Sequence, residues 1–182
     1  MSKQEFIRKE MKNFVVNVAS TLKIHIIQSD IYAGKANHIK RVKIICTTLT
    51  SVGLASFVLK ILPEYQAVSL TITFILSLAT TFINLLEKES DYKKLSDQTR
   101  VTANKFWELR EDCYSLLYAL KSGDDLGGIV EKFDELKKLR KVYNMELLNP
   151  SPKAVKLASK RIKESHDNDY TDDYKYFNLE DL

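Results

Sequence analysis

The sequence predicts an all-α membrane protein, built from a two-helix transmembrane hairpin and a cytoplasmic helical bundle. Three observations carry that prediction. Two apolar runs, residues 44–62 and 67–86, hold nineteen residues with Lys60 as the only charge and twenty residues with none. At 1.5 Å per residue, roughly twenty residues cross a hydrocarbon core of about 30 Å. Pro63, Glu64, Tyr65 and Gln66 are all that separates the runs, so a tight turn must fold the two helices back as an antiparallel pair. Every other periodic segment repeats apolar residues at three and four with charges between, which is the pattern of amphipathic helices.

Before the hairpin, Ile7, Met11, Phe14, Val18, Leu22 and Ile26 recur at helical spacing from Gln4 to about Ala33. This first helix is expected to pack on the other cytoplasmic helices rather than to lie on the membrane surface. Gly34 is expected to end it, leaving AGKANHIKRVK as a basic connector whose Lys35, Lys40, Arg41 and Lys43 can meet lipid headgroups. Residues 1–43 thus form an amphipathic helix plus connector, and residues 44–86 the hairpin.

After the hairpin, Tyr92, Leu95, Thr99, Thr102, Phe106, Leu109, Cys113, Leu116 and Leu120 keep the spacing without Gly or Pro until Ser122-Gly123. The second span is therefore expected to continue as one rod into the cytoplasm. Gly127-Gly128 opens another helix, with Ile129, Val130, Phe133, Leu136 and Tyr143 on its apolar side. The segment Asn149, Pro150, Ser151, Pro152 reads as a cap followed by an early helical proline, starting a helix through about Lys163. Residues 87–165 make up this helical region. The acidic tail, residues 166–182, lacks periodicity and is expected to be disordered or ordered by a partner.

Charge and composition fit this plan. The net +4 divides into −5 on residues 166–182 and +9 on the rest, and residues 1–43 hold nine Lys or Arg against three acids. Such a patch suits nucleic acid or anionic lipid. Its position beside apolar runs points to lipid, and no direct nucleic-acid binding is expected. Positive residues flank both runs, Lys88, Lys93 and Lys94 following the second, while the turn has none. Both termini are therefore expected in the cytoplasm. The start, MSKQEFIRKEMKN, is too charged for a cleaved signal peptide. The acidic tail resting on the basic N-terminal region would be one way to hold a resting state.

The second run carries a polar edge. On a helical wheel Gln66, Ser69, Thr73, Ser77, Thr80 and Asn84 share an arc of about 80°, and no other residue between Gln66 and Asn84 enters it. Three explanations stay open. Small hydroxyl residues allow close helix approach, and Thr47, Ser51 and Ala55 on the first run offer a matching seam. Ser and Thr also bond their own helix carbonyls. In an assembly of several copies the edge could instead face water as a pore lining, because two helices alone cannot surround a water column.

Catalytic and metal signatures are missing. There is no GxxxxGK[ST], GxGxxG, HExxH or GxSxG, and His25, His38 and His166 are scattered. Cys46 and Cys113 form no CxxC and read as packing residues. The acidic pairs Glu111-Asp112 and Asp124-Asp125 read as solvated surface, and Phe106 and Trp107 as core anchors. No enzyme activity, metal or cofactor is expected.

The basic N-terminal helix, the hairpin VKIICTTLTSVGLASFVLKILPEYQAVSLTITFILSLATTFINLL, the stretch DYKKLSDQTRVTANKFWELREDCYSLL and the late PSPKAVKLASKRI together resemble the SLATT proteins, over nearly the whole chain. These are two-transmembrane effectors associated with nucleotide-generating and nucleotide-sensing partners in bacterial conflict systems. The resemblance implies an antiviral effector that forms homo-oligomers in the bacterial inner membrane and permeabilises it when infection is sensed. Abortive infection would follow. Partners implied by the family are a cyclic nucleotide, a sensor protein or a reverse transcriptase; a membrane-anchored adaptor without a pore is the alternative.

Overall fold

A computed structural model describes residues 3–58 and 66–164, and for residues 56–58, 66 and 89 the backbone alone. Every regular element among the described residues is a helix: α1 (Lys3–Val58), α2 (Gln66–Glu89), α3 (Tyr92–Ser122), α4 (Leu126–Met145) and α5 (Pro152–Glu164). The expected turn around Pro63, the snorkelling Lys60 and the acidic tail lie outside the described residues.

Two expected boundaries are corrected. Gly34 does not end the first helix, because α1 runs through it to Val58. A glycine inside a helix costs about 1 kcal/mol relative to alanine. Ala33, Lys35 and Ala36 around it are good helix formers, and no proline follows in α1 to enforce a stop. The basic stretch is therefore helical and not a connector. The second correction is that α2 and α3 are separate helices, interrupted at Ser90 and Asp91. Asp91 caps the new helix: its Oδ1 accepts from the Lys94 amide at 2.9 Å and its carbonyl from the Leu95 amide at 2.9 Å. A short carboxylate that captures a first-turn amide restarts the helix instead of continuing it.

The remaining ends follow local chemistry. Gly123, at φ 87°, takes the left-handed conformation after α3, and the Asp124 amide bonds back to the Ala119 carbonyl at 3.2 Å, closing a Schellman turn. Asp125 caps α4, accepting from the Gly127 and Gly128 amides at 3.2 and 2.8 Å. Those bonds, the one from Gly128 foremost, hold its carboxyl below the usual range. Ser151 caps α5 through the Ala154 amide, with Pro152 at the first helical position.

The chain divides into two compact units, Met1–Ser29 with Asp97–Leu182, and Asp30–Ser96. The first unit is a helical bundle. Met11, Phe14, Val18 and Leu22 of α1 meet Phe106, Leu109 and Cys113 of α3 and Ile129, Phe133 and Leu136 of α4 in one core. Ala154 and Ala158, one turn apart, are buried on α5. Buried Gln28, 2% exposed, is matched: its Oε1 accepts from the Ser151 amide and hydroxyl at 2.8 and 2.7 Å. Gln4 donates to the Leu120 carbonyl, one of the last-turn acceptors that α3 leaves free. Phe106 is a core anchor as expected, but Trp107 is 51% exposed and is not. Neighbours on a helix point about 100° apart, and Phe106 takes the inward direction.

Candidate functional site

The residues singled out along both apolar runs lie in the second unit, Asp30–Ser96, on the C-terminal half of α1 and on α2. Two contacts define how these helices meet. Lys43 pairs with Glu87 at 2.7 Å, and Gly53 lies against Thr73. Advancing along α1 from 43 to 53 moves the partner back from 87 to 73, so the helices run antiparallel. The ion pair is half-exposed on both sides and contributes at most about 1 kcal/mol; its effect is on register.

Gly53 is the close approach. A Cβ built there would stand 2.2 Å from Thr73 Oγ1 and 3.4 Å from Thr73 Cβ, so a methyl has no room while Thr73 keeps its rotamer. Thr73 is 7% exposed and is the buried member of the polar edge. Ser69 and Thr80 are half-buried, Ser77 and Asn84 exposed, and Gln66 opens α2 with only its backbone described. The edge is thus divided: its middle faces α1, and parts of it face outward. On α1, Thr47, Ser51 and Ala55 are all exposed, and the close approach falls at Gly53, with Cys46 and Thr50 half-buried two turns and one turn before it. Sequence reading missed Gly53. Its spacing of seven and three from Cys46 and Thr50 was the available signal, but only the identity of the facing residue shows that a missing side chain is needed.

Hydroxyl donors along both helices are turned inward on their own backbones. Thr47, Thr50 and Ser51 donate to the carbonyls of Lys43, Cys46 and Thr47, and Thr71, Thr80 and Thr81 to those of Ala67, Leu76 and Ser77, all between 2.8 and 3.0 Å. Such bonds satisfy the hydroxyl proton without water and leave the oxygen as an acceptor.

Around this pair the surface is apolar. Among the described residues of this unit, fourteen large hydrophobic side chains are at least 40% exposed, from Ile44, Ile45 and Leu49 on α1 to Phe74, Leu78 and Phe82 on α2. Among the described residues one helical run, beginning at Ala67, is long and apolar enough to cross a membrane, and only 6% of its most apolar window is buried within the chain. A core helix of a water-soluble fold would be mostly buried. Of the basic residues, Lys35 sits 5.0 Å above the Tyr92 ring, which in turn stacks on Tyr32 at 6.1 Å, and Lys43 holds Glu87. Lys40 and Arg41 are exposed. Both cysteines are free thiols, Cys46 half-buried and Cys113 buried.

A family described as the SMODS and SLOG-associating 2TM effector domain family 4 matches residues 7–174. No curated protein and no solved structure matches the chain.

Proposed function

This chain belongs to the SMODS and SLOG-associating 2TM effector domain family, and we propose that it is an antiviral effector acting at the bacterial inner membrane. The hairpin enters the bilayer, copies assemble through it, and the assembly permeabilises the membrane on a signal from a partner protein or nucleotide second messenger. Arrest or death of the infected cell follows. The observation that carries this reading is the apolar belt of the second unit. Burying a Val, Leu, Ile or Phe side chain is worth about 1.5–3 kcal/mol each, so fourteen of them left half in water forgo a gain that packing within this chain does not recover, a cost far beyond that of singly scattered apolar residues. Hydrocarbon removes the cost. Lys35, Lys40, Arg41 and Lys43 before the hairpin and Lys88, Lys93 and Lys94 after it support cytoplasmic termini.

Assembly supplies what one hairpin lacks. Ser77 and Asn84 on α2 and Thr47 and Ser51 on α1 are exposed polar groups within an apolar surface. Turned toward other copies, they would line a water path or seal a seam. The second reading, a membrane-anchored adaptor that recruits a partner without conducting, is favoured by one observation: Thr73, at the middle of the edge, packs on Gly53 instead of facing outward.

Dye-loaded liposomes separate the two. At high protein-to-lipid ratio the full chain is expected to release dye, and Ser77→Leu with Asn84→Leu to insert equally by flotation while releasing little. Leakage that the double variant leaves unchanged would reject the lining role of these residues. Absence of leakage from the unaltered chain at every ratio would favour the adaptor.

A further inference from the structure

A cleft between α1 and α4 in the first unit, far in sequence from the hairpin, has the makings of a ligand site. Its volume of about 380 Å³ falls within the range of small-molecule pockets, about 300–1,000 Å³. Phe14 and Phe133 form its floor, edge to face at 5.4 Å and 5% and 2% exposed. Lys137, Arg140 and Lys141 line it from α4, brought to one face by steps of three and four.

The cations are held in an unusual way. Lys137 Nζ lies 4.8 Å above the Phe133 ring and Arg140 Cζ lies 5.4 Å above the Phe14 ring. Asp134 pairs with Lys137 at 2.5 Å, but neither Arg140 nor Lys141 has a carboxylate partner among the described residues. Arg140 Nε is buried without a hydrogen-bond partner, the one buried side-chain nitrogen or oxygen among the described residues left so. An unmet buried donor on a charged group costs about 1–3 kcal/mol or more, which an anion bound beside the guanidinium would offset. A guanidinium held over a ring is also a preorganised fork for a phosphate.

Asn13, Asn17 and Asn144 supply the remaining polar lining. An inorganic phosphate needs only donors and would fill a small part of the cleft. Three amides, each with a carbonyl acceptor as well as donors, suit a ligand that also carries hydroxyl or amino groups. Glu10, at the α1 side, is one more acceptor of that kind. The geometry points to this cleft as a binding site for an organic phosphate, its phosphate on Arg140 and Lys141 and its hydroxyl- or amine-bearing part on the asparagines. The site is drawn from the first unit alone and stands whether or not the hairpin conducts.

The full chain in uncharged detergent is titrated calorimetrically with AMP, ribose 5-phosphate, adenosine and inorganic phosphate. AMP or ribose 5-phosphate is expected to saturate, with affinity falling as salt rises. Adenosine and inorganic phosphate should each bind at least about tenfold more weakly. Lys141→Ala, at an exposed position, should weaken binding about tenfold. Arg140→Lys, which keeps the charge and removes the fork, should do the same, and Asn17→Ala should narrow the gap between AMP and inorganic phosphate. Micelles doped with phosphatidylglycerol distinguish a lipid source: competition with AMP would support the site and identify a headgroup as its occupant. The site is overturned if neither organic phosphate binds at millimolar concentration, or if Lys141→Ala and Arg140→Lys both leave the affinity unchanged. Inorganic phosphate binding as tightly as AMP would overturn the role given to the asparagines.

Discussion

His25 is a titratable group inside the bundle, 2% exposed, with its ring stacked on Phe106 at 6.4 Å and 15°. Burial pushes its pKa below the ordinary 6.5. Above that value the imidazole is neutral folded and unfolded alike, so it adds no pH dependence. Below it the unfolded chain takes up a proton that the folded chain resists, and stability falls as pH falls. Melting in detergent is therefore expected to drop between about pH 7 and pH 5.5, and to drop less in His25→Gln, with the two chains showing the same slope above neutral pH whatever constant offset the substitution adds. Equal slopes for both chains would remove His25 from the account. Cys113 makes a second case. Desolvation pushes its thiol up to about 12, and its Sγ donates to the Met11 carbonyl at 3.7 Å. Thiolate is the reactive form, so Cys113 should resist alkylation by iodoacetamide at neutral pH until the chain is unfolded, which mass mapping of the modified site would check. The sequence marked Cys113 as core by its helical spacing. It could not mark His25, because a buried imidazole beside Leu22 and Ile26 depends on Phe106, which is 81 positions away.

At the scale of elements, local rules explain the helix ends at Asp91, Gly123, Asp125 and Ser151. Ser122-Gly123 and the Pro152 start were legible because glycine and proline carry their meaning within a turn. Gly34 misled for the same reason: a helix-breaking residue does not break a helix whose neighbours favour it. The interruption at Asp91 was hidden because the apolar spacing persists across it, and a cap is one side chain. Two variants test this level. Gly53→Ala gains up to about 1 kcal/mol of helix propensity, yet its methyl meets Thr73 Oγ1 at 2.2 Å, and overpacking of this kind costs about 1–3 kcal/mol. A lower melting temperature is expected. Thr73→Ala in the same chain leaves a 3.4 Å carbon contact and should restore it, so a double variant no better than Gly53→Ala would show that the clash is not the cause. Ser151→Ala removes both the α5 cap and one of the two donors to buried Gln28 Oε1. A loss of about 1–2 kcal/mol is expected in denaturant unfolding, more than a cap alone commonly gives in exposed helices.

For the molecule as a whole, the decisive matter is which solvent surrounds Phe74, Leu78 and their neighbours. Both runs read as spans from the sequence because length and the absence of charge are properties of composition, and among the described residues the run beginning at Ala67 is long and apolar enough to cross a membrane. Packing within a unit adds a constraint that composition lacked: α2 has only one side committed to α1, at Thr73, and leaves Phe74 and Leu78 64% and 55% exposed. If water bathes them, replacing both by arginine should improve solubility and leave the helix in place. If hydrocarbon bathes them, each arginine near the middle of the span costs about 2.5–3.5 kcal/mol of insertion, and two together exceed what a helix broken by Ser69, Thr73, Ser77 and Thr80 can offset. Phe74→Arg with Leu78→Arg is accordingly expected to shift the expressed chain from the carbonate-resistant membrane fraction to the soluble or degraded fraction. The opposite pair, Ser77→Leu with Thr81→Leu, should remain in the membrane. A double-arginine chain that is still carbonate-resistant would mean that α2 does not lie in the bilayer, and the permeabilising and adaptor readings would fail together.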